Sequence, residues 1–132
     1  MRKSAHRKVR LKRLPVTKEL ADQVRMGLHS ALVVLSTAYA SWETIEQLQE
    51  GLDMARFAVE GKPQFKDEVV LLNSGSLALR ALCERGLPIA VTPYERLPIT
   101  TAVNTVDAML PRLDGTWLYL ALQRVRAEAE LK

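Results

Sequence analysis

The sequence predicts an all-α protein: a bundle of four or five mostly antiparallel helices behind a flexible basic N-terminal arm. Three features predict it. Apolar residues recur at i, i+3 and i+4 through most of the chain after residue 16. The pattern is interrupted at Gly, Pro and short capping residues, the usual start and stop signals of helices. No two segments read as a strand pair, although residues 87–92 are apolar enough for a short extended piece.

Residues 1–16 show no helical period, and Pro15 closes them. Their like charges repel and they offer little to bury, so this arm should be disordered when alone in water. Thr17 is a suitable N-cap for the first helix, with Glu19 and Asp22 placed where the helix dipole favours acids. Its stripe is Leu20, Val24, Leu28, Ala31, Leu32, Leu35 and Ala38, widened by Val33 and Val34, so the second half is expected to be buried on several sides. Ser41 caps the next helix, with Trp42, Ile45, Leu48, Leu52, Ala55 and Val59 inward and Glu43, Glu46, Glu50 and Asp53 outward. Gly61 and Pro63 stop it. The short connection around Ala40 implies an antiparallel hairpin.

A third helix is expected from about Lys66 to Arg85, with Phe65, Val69, Leu72, Leu79, Leu82 and Cys83 inward. The run Asn73-Ser74-Gly75-Ser76 predicts a close helix approach, a kink or a break. Gly86-Leu87-Pro88 ends the helix. Thr92-Pro93-Tyr94-Glu95 reads as a capping box with Pro at the first helical position. Pro98 predicts one turn and then a kink or restart near Ile99. The stripe that follows is Ile99, Ala102, Val103, Val106, Met109 and Leu110, ended by Pro111 and Asp114-Gly115. Thr116 is the expected cap of the last helix, with Trp117, Leu118, Ala121, Leu122 and Val125 inside and a charged, fraying tail.

The 132 residues suit one domain, divided into the arm (1–16) and a helical domain (17–132). No apolar run approaches the roughly 20 residues that span a bilayer, and no secretory pattern follows the basic start. With one cysteine, Cys83, an internal disulfide is excluded. These features predict a cytoplasmic protein with no membrane partner.

The net charge of +4 conceals an asymmetry. Arg2, Lys3, Arg7, Lys8, Arg10, Lys12 and Arg13 precede every acid in the chain; the remainder holds 12 Lys and Arg against 15 acids, a net of −3. A localised basic block points to a polyanionic partner. Phosphate contacts need cationic side chains able to approach a backbone, and a flexible Arg/Lys arm supplies them without sequence preference. These seven residues are the candidate nucleic-acid-binding set. The arm has no interleaved aromatics for base stacking. Thr100, Thr101, Asn104 and Thr105 form a second candidate, a polar helix face able to meet bases or phosphates.

Catalytic chemistry is not indicated, and the expectation is a non-enzymatic protein with no cofactor. Cys83, His6 and His29 are too few and too scattered for a zinc site. Cys83 reads as a small buried hydrophobe, and His29 as a boundary residue beside the first stripe. No phosphate-loop or dinucleotide fingerprint occurs; Ser74-Gly75-Ser76 lies inside a helical pattern with no strand before it. The acids of the second helix read as a solvated surface.

Arg13-Leu14-Pro15, His29-Ser30-Ala31-Leu32, Trp42-Glu43-Thr44-Ile45 and Leu52-Asp53-Met54-Ala55 occur in this order along the first half of the chain. In this the sequence resembles a group of uncharacterised small basic helical proteins of proteobacterial prophages, plasmids and integrated elements. The resemblance implies a phage or mobile-element setting and carries over no site residues. Together these readings predict a nucleic-acid-associated accessory or regulatory protein, with a homodimer as one arrangement open to it. The alternatives are a protein-binding module, such as an inhibitor of a host defence complex acting on an acidic or host protein surface, and a phage structural or assembly protein.

Overall fold

The computed structural model describes residues 14–37, 40–86 and 91–131. Residues 1–13, Ala38, Tyr39, Leu87 to Ala90 and Lys132 lie outside that set, and with them most of the basic arm, the end of the first stripe and the Leu87-Pro88 stop. The described residues form five α-helices and no strands: α1 (Lys18–Leu35), α2 (Trp42–Ala58), α3 (Lys66–Arg85), α4 (Pro93–Met109) and α5 (Gly115–Glu130). Short 3-10 turns, Pro63–Phe65 and Leu110–Arg112, precede α3 and follow α4. The all-α bundle follows the sequence pattern.

Most starts lie where capping chemistry puts them. The Thr17 hydroxyl accepts the Leu20 N–H at 3.2 Å, and the Thr44 hydroxyl accepts the Ser41 N–H at 3.2 Å. At α4 the Thr92 hydroxyl accepts the Glu95 N–H at 3.2 Å, while the Glu95 carboxylate accepts the Thr92 N–H at 3.0 Å. These bonds satisfy donors that a helix start leaves orphaned. The α5 cap differs from expectation. Asp114, not Thr116, is the N-cap, because its carboxylate reaches the Thr116 N–H at 2.8 Å. Helix α5 runs to Glu130 rather than fraying from Arg124, with an Arg124–Glu128 ion pair one turn apart.

Two expected interruptions do not occur. Helix α3 is continuous through Asn73-Ser74-Gly75-Ser76, since each of these residues has a role there. Asn73 accepts from Arg56, Ser74 donates to the Val70 carbonyl, and Ser76 accepts from Gln49. Gly75 is buried, and a Cβ there would stand 2.4 Å from Ala102 Cβ and 3.3 Å from the Pro98 carbonyl. The small residues thus serve close approach, one of the three expected outcomes. Helix α4 likewise passes through Pro98 without restarting. Pro98 removes one hydrogen bond, but the capped first turn and the packing of α4 on α3 keep the axis continuous.

The core is a file of fully buried aliphatic side chains, among them Leu35, Leu48, Leu52, Leu72, Leu79, Ile99 and Leu118. Four expected placements are corrected. Cys83 is exposed, because Leu72, Gly75, Leu79 and Leu82 take the inward arc of α3. Trp42, at the first position of α2, is 39% exposed, and Val33 is 66% exposed on an α1 that is covered on one side only. Thr105 is buried rather than outward, its hydroxyl donating to the Thr101 carbonyl at 2.7 Å.

The Gly75 contact can be tested by volume. Gly75→Ala gains about 1 kcal/mol of helix propensity, yet the crowded Ala102 must move, so a net loss of about 1–2 kcal/mol is expected in urea unfolding. Gly75→Val should lose more.

Candidate anion-binding end of the bundle

The seven cations expected to contact phosphates, Arg2, Lys3, Arg7, Lys8, Arg10, Lys12 and Arg13, all lie outside the described residues. What the structure describes is where their segment joins the body. Leu14 is held at the start of α5: its N–H donates to Asp114 Oδ2 at 3.2 Å, and its carbonyl accepts the Gly115 N–H at 2.6 Å. Pro15 and Asp114 complete an isolated antiparallel bridge. Gly115 permits the approach, since a Cβ there would lie 3.0 Å from the Pro15 carbonyl oxygen. Leu14 and Pro15 are thus tied to the body through their backbone, and Val16 packs on the core, three residues that the sequence assigns to the arm.

Asp114 thus serves two chain segments. Burial pushes its carboxyl up, but the N–H groups of Thr116 and Leu14 outweigh that and hold it below the ordinary aspartate value. The sequence marks Asp114-Gly115 only as a stop; nothing local to it discloses a partner a hundred residues away.

Around this anchor, cations lie over aromatic rings. Two residues past Gly115, Trp117 carries the Lys62 ammonium 4.1 Å from its ring centroid. The Arg112 guanidinium lies 4.5 Å over Phe65 and binds Glu68 at 2.5 Å. That bond holds the Glu68 carboxyl below its usual range. Arg124 lies 3.8 Å over Phe57 while reaching Glu60 at 3.3 Å, and Arg56 approaches the same ring while paired with Asp53. A groove between the end of α2 and the start of α3 is lined by Arg56, Phe57, Glu60, Lys62, Lys66 and Val70. Among the described residues, Lys62 and Lys66 have no carboxylate partner, in contrast to the three arginines. Sequence reasoning passed over these two lysines because they form no run of charge and lie far from the arm in sequence; the fold sets them in one groove.

The other candidates behave differently. With Thr105 buried, the polar face of Thr100, Thr101, Asn104 and Thr105 is not assembled as expected. Glu43, Glu46 and Glu50 are exposed, whereas Asp53 is half-buried and bonded by Gln49 and Arg56. His29 is a boundary residue, 2.6 Å from Asp107 Oδ2. Asp107 Oδ1 is buried without a hydrogen-bond partner, with Arg25 Nε 4.0 Å away. Among the described residues no group of three or more His, Cys, Asp or Glu could hold a metal ion, and no helix is long and apolar enough to cross a membrane. Comparison with protein-family models, curated proteins and solved structures finds no match.

The Asp114 link carries a pH signature. The folded-state value lies below the unfolded one, so the stabilisation is whole above the ordinary carboxylate range and is lost as pH falls through the lowered value. The amide signals of Leu14 and Thr116 should move together in an acid titration by NMR. Asp114→Asn should remove that titration, and Asp114→Ala should lose about 1 kcal/mol with the cap.

Proposed function

We propose that the protein is a non-enzymatic, nucleic-acid-associated accessory or regulatory protein of a phage or mobile element. Its basic arm contacts phosphates, and the helical body fixes where the arm begins. The observation that carries this reading is the separation of charge: seven cations and no acid in residues 1–16, on a chain whose remainder is net negative. Such a segment gains most from a dense row of phosphates, because neutralising them releases counterions. The body adds charge of the same sign: Lys62, whose ammonium lies over Trp117 two residues past the Gly115 anchor, and Lys66 in the same groove. Arm and body lysines together describe recognition of backbone rather than of base sequence. Action in the cytoplasm without a cofactor accords with this reading.

Salt-dependent binding to random duplex DNA and to RNA tests it. Between about 50 and 200 mM salt the affinity should fall roughly a thousandfold or more, as it does for six or more phosphate contacts. Neutralising Arg7, Lys8, Arg10, Lys12 and Arg13 together should reduce the slope of log affinity against log salt by about 4.5, and Lys62→Ala with Lys66→Ala by about 2. Binding that survives removal of residues 1–13 unchanged would overturn the reading. So would a nuclease-resistant, stoichiometric host protein bound in place of nucleic acid.

A further inference from the structure

The groove between α2 and α3 continues into a smaller recess against α5, and the two share Phe57 and Lys62. Together their linings hold four cations, Arg56, Lys62, Lys66 and Arg124, against one acid, Glu60. Two aromatic rings lie in the same surface, and each is half-buried with a cation over it: Arg124 at 3.8 Å on Phe57, and Lys62 at 4.1 Å on Trp117. Trp117 and Arg124 are two turns apart on α5, so they share a helix face about 10 Å apart. Neither covering cation is fixed. Arg124 is held by exposed pairs to Glu60 and Glu128, which are weak, and Lys62 has no carboxylate partner among the described residues. Phe65 differs: it is fully buried beneath Arg112 and offers no ring to a ligand.

We infer that this surface is a stacking site for single-stranded nucleic acid, a narrower ligand class within the phosphate-binding reading on which the proposal rests. Charge complementarity selects a polyanion, since the lining is cationic on a body that is net negative. The rings select an unpaired strand. A base offers its π-face only when it is free of its neighbours, and Phe57 and Trp117 then receive it. Lys62 moves from the ring to a phosphate, while Arg124 can stay, because a guanidinium plane also stacks on a base. A duplex keeps its bases inside the stack and presents phosphates alone. The arm by itself favours the duplex, whose charges are about twice as dense along the axis. Stacking on the body reverses that preference. It does so without reading sequence, because every base has a π-face. The bond from Gly115 to Leu14 roots the arm two residues from Trp117, so one strand can engage both.

The full chain should bind oligothymidylate or oligouridylate of about 15 nucleotides more tightly than a duplex of the same length at the same salt; the tighter of the two strands names the sugar. Phe57→Leu and Trp117→Leu should each weaken single-strand binding roughly five- to a hundredfold and leave duplex affinity and helix content unchanged. Phe57→Tyr and Trp117→Phe, which keep a ring, should restore most of the loss. A readout that needs no change at the site uses Trp42→Phe, which leaves Trp117 as the single tryptophan. Its emission should be quenched by the oligonucleotides and not by the duplex. Preference for the duplex over both strands, a single-strand preference indifferent to both leucines, or unquenched Trp117 would each overturn the proposal. Removal of residues 1–13 separates it from the arm reading. Binding that depends on the arm but not on the rings sinks the stacking site alone; binding that depends on the rings but not on the arm sinks the arm reading alone. A chain that binds neither strand nor duplex overturns both.

Discussion

The missing side chain at Gly75 sets the spacing between α3 and α4, and the rest of the bundle is arranged around that pair. Because Ala102 and the Pro98 carbonyl approach to within the space of one methyl group, the two helices pack as a single two-helix slab. Leu52 of α2 also reaches the same point. One side of the slab faces the core through Leu72, Leu79, Leu82, Ile99, Val103 and Val106. The other side stays apolar but open. The constraint also accounts for α4 passing through Pro98: bound along its length to α3 and locked at its first turn by Thr92, Glu95 and Arg85, the helix has little freedom to turn away.

Electrostatics are distributed on a different principle. The body pairs part of its charge, through Lys18–Asp22, Arg56–Asp53, Arg85–Glu95 and Arg112–Glu68. Exposed pairs of this kind add little stability individually. Their larger effect is on the groove between α2 and α3, where Arg56 is paired with Asp53 and Lys62 and Lys66 have no carboxylate partner. Stacking of arginine and lysine on Phe57, Phe65 and Trp117 covers aromatic surface that would otherwise face water.

Much of the fold was legible because it rests on local rules. Thr17, Ser41 and the Thr92-to-Glu95 box start helices by chemistry that is complete within one turn. What escaped reading depends on residues far away in sequence. Cys83 and Trp42 sit at the margins of their apolar arcs, and only the placement of neighbouring helices decides which margin is covered. Thr105 looks outward by composition but is buried, since its hydroxyl can be satisfied by its own helix. Asp114 caps α5 in place of Thr116 by accepting the Thr116 N–H, and the same carboxylate also accepts from Leu14, a hundred residues away. Of the candidate site, the arm was visible as a run of charge, whereas the body lysines and the rings beside them emerge only from the folded arrangement.

The five-helix count has a consequence for how the molecule can be handled and rewired. Leu14 is bonded to the first residue of α5, and Leu131 follows its last. The 16 residues of α5 therefore hold these two points about 24 Å apart, on opposite poles of the bundle. A tether, dye or fusion attached beyond Leu131 stands clear of the pole where the arm leaves the body. Joining the two points to permute the chain takes a linker of about seven extended residues at the least.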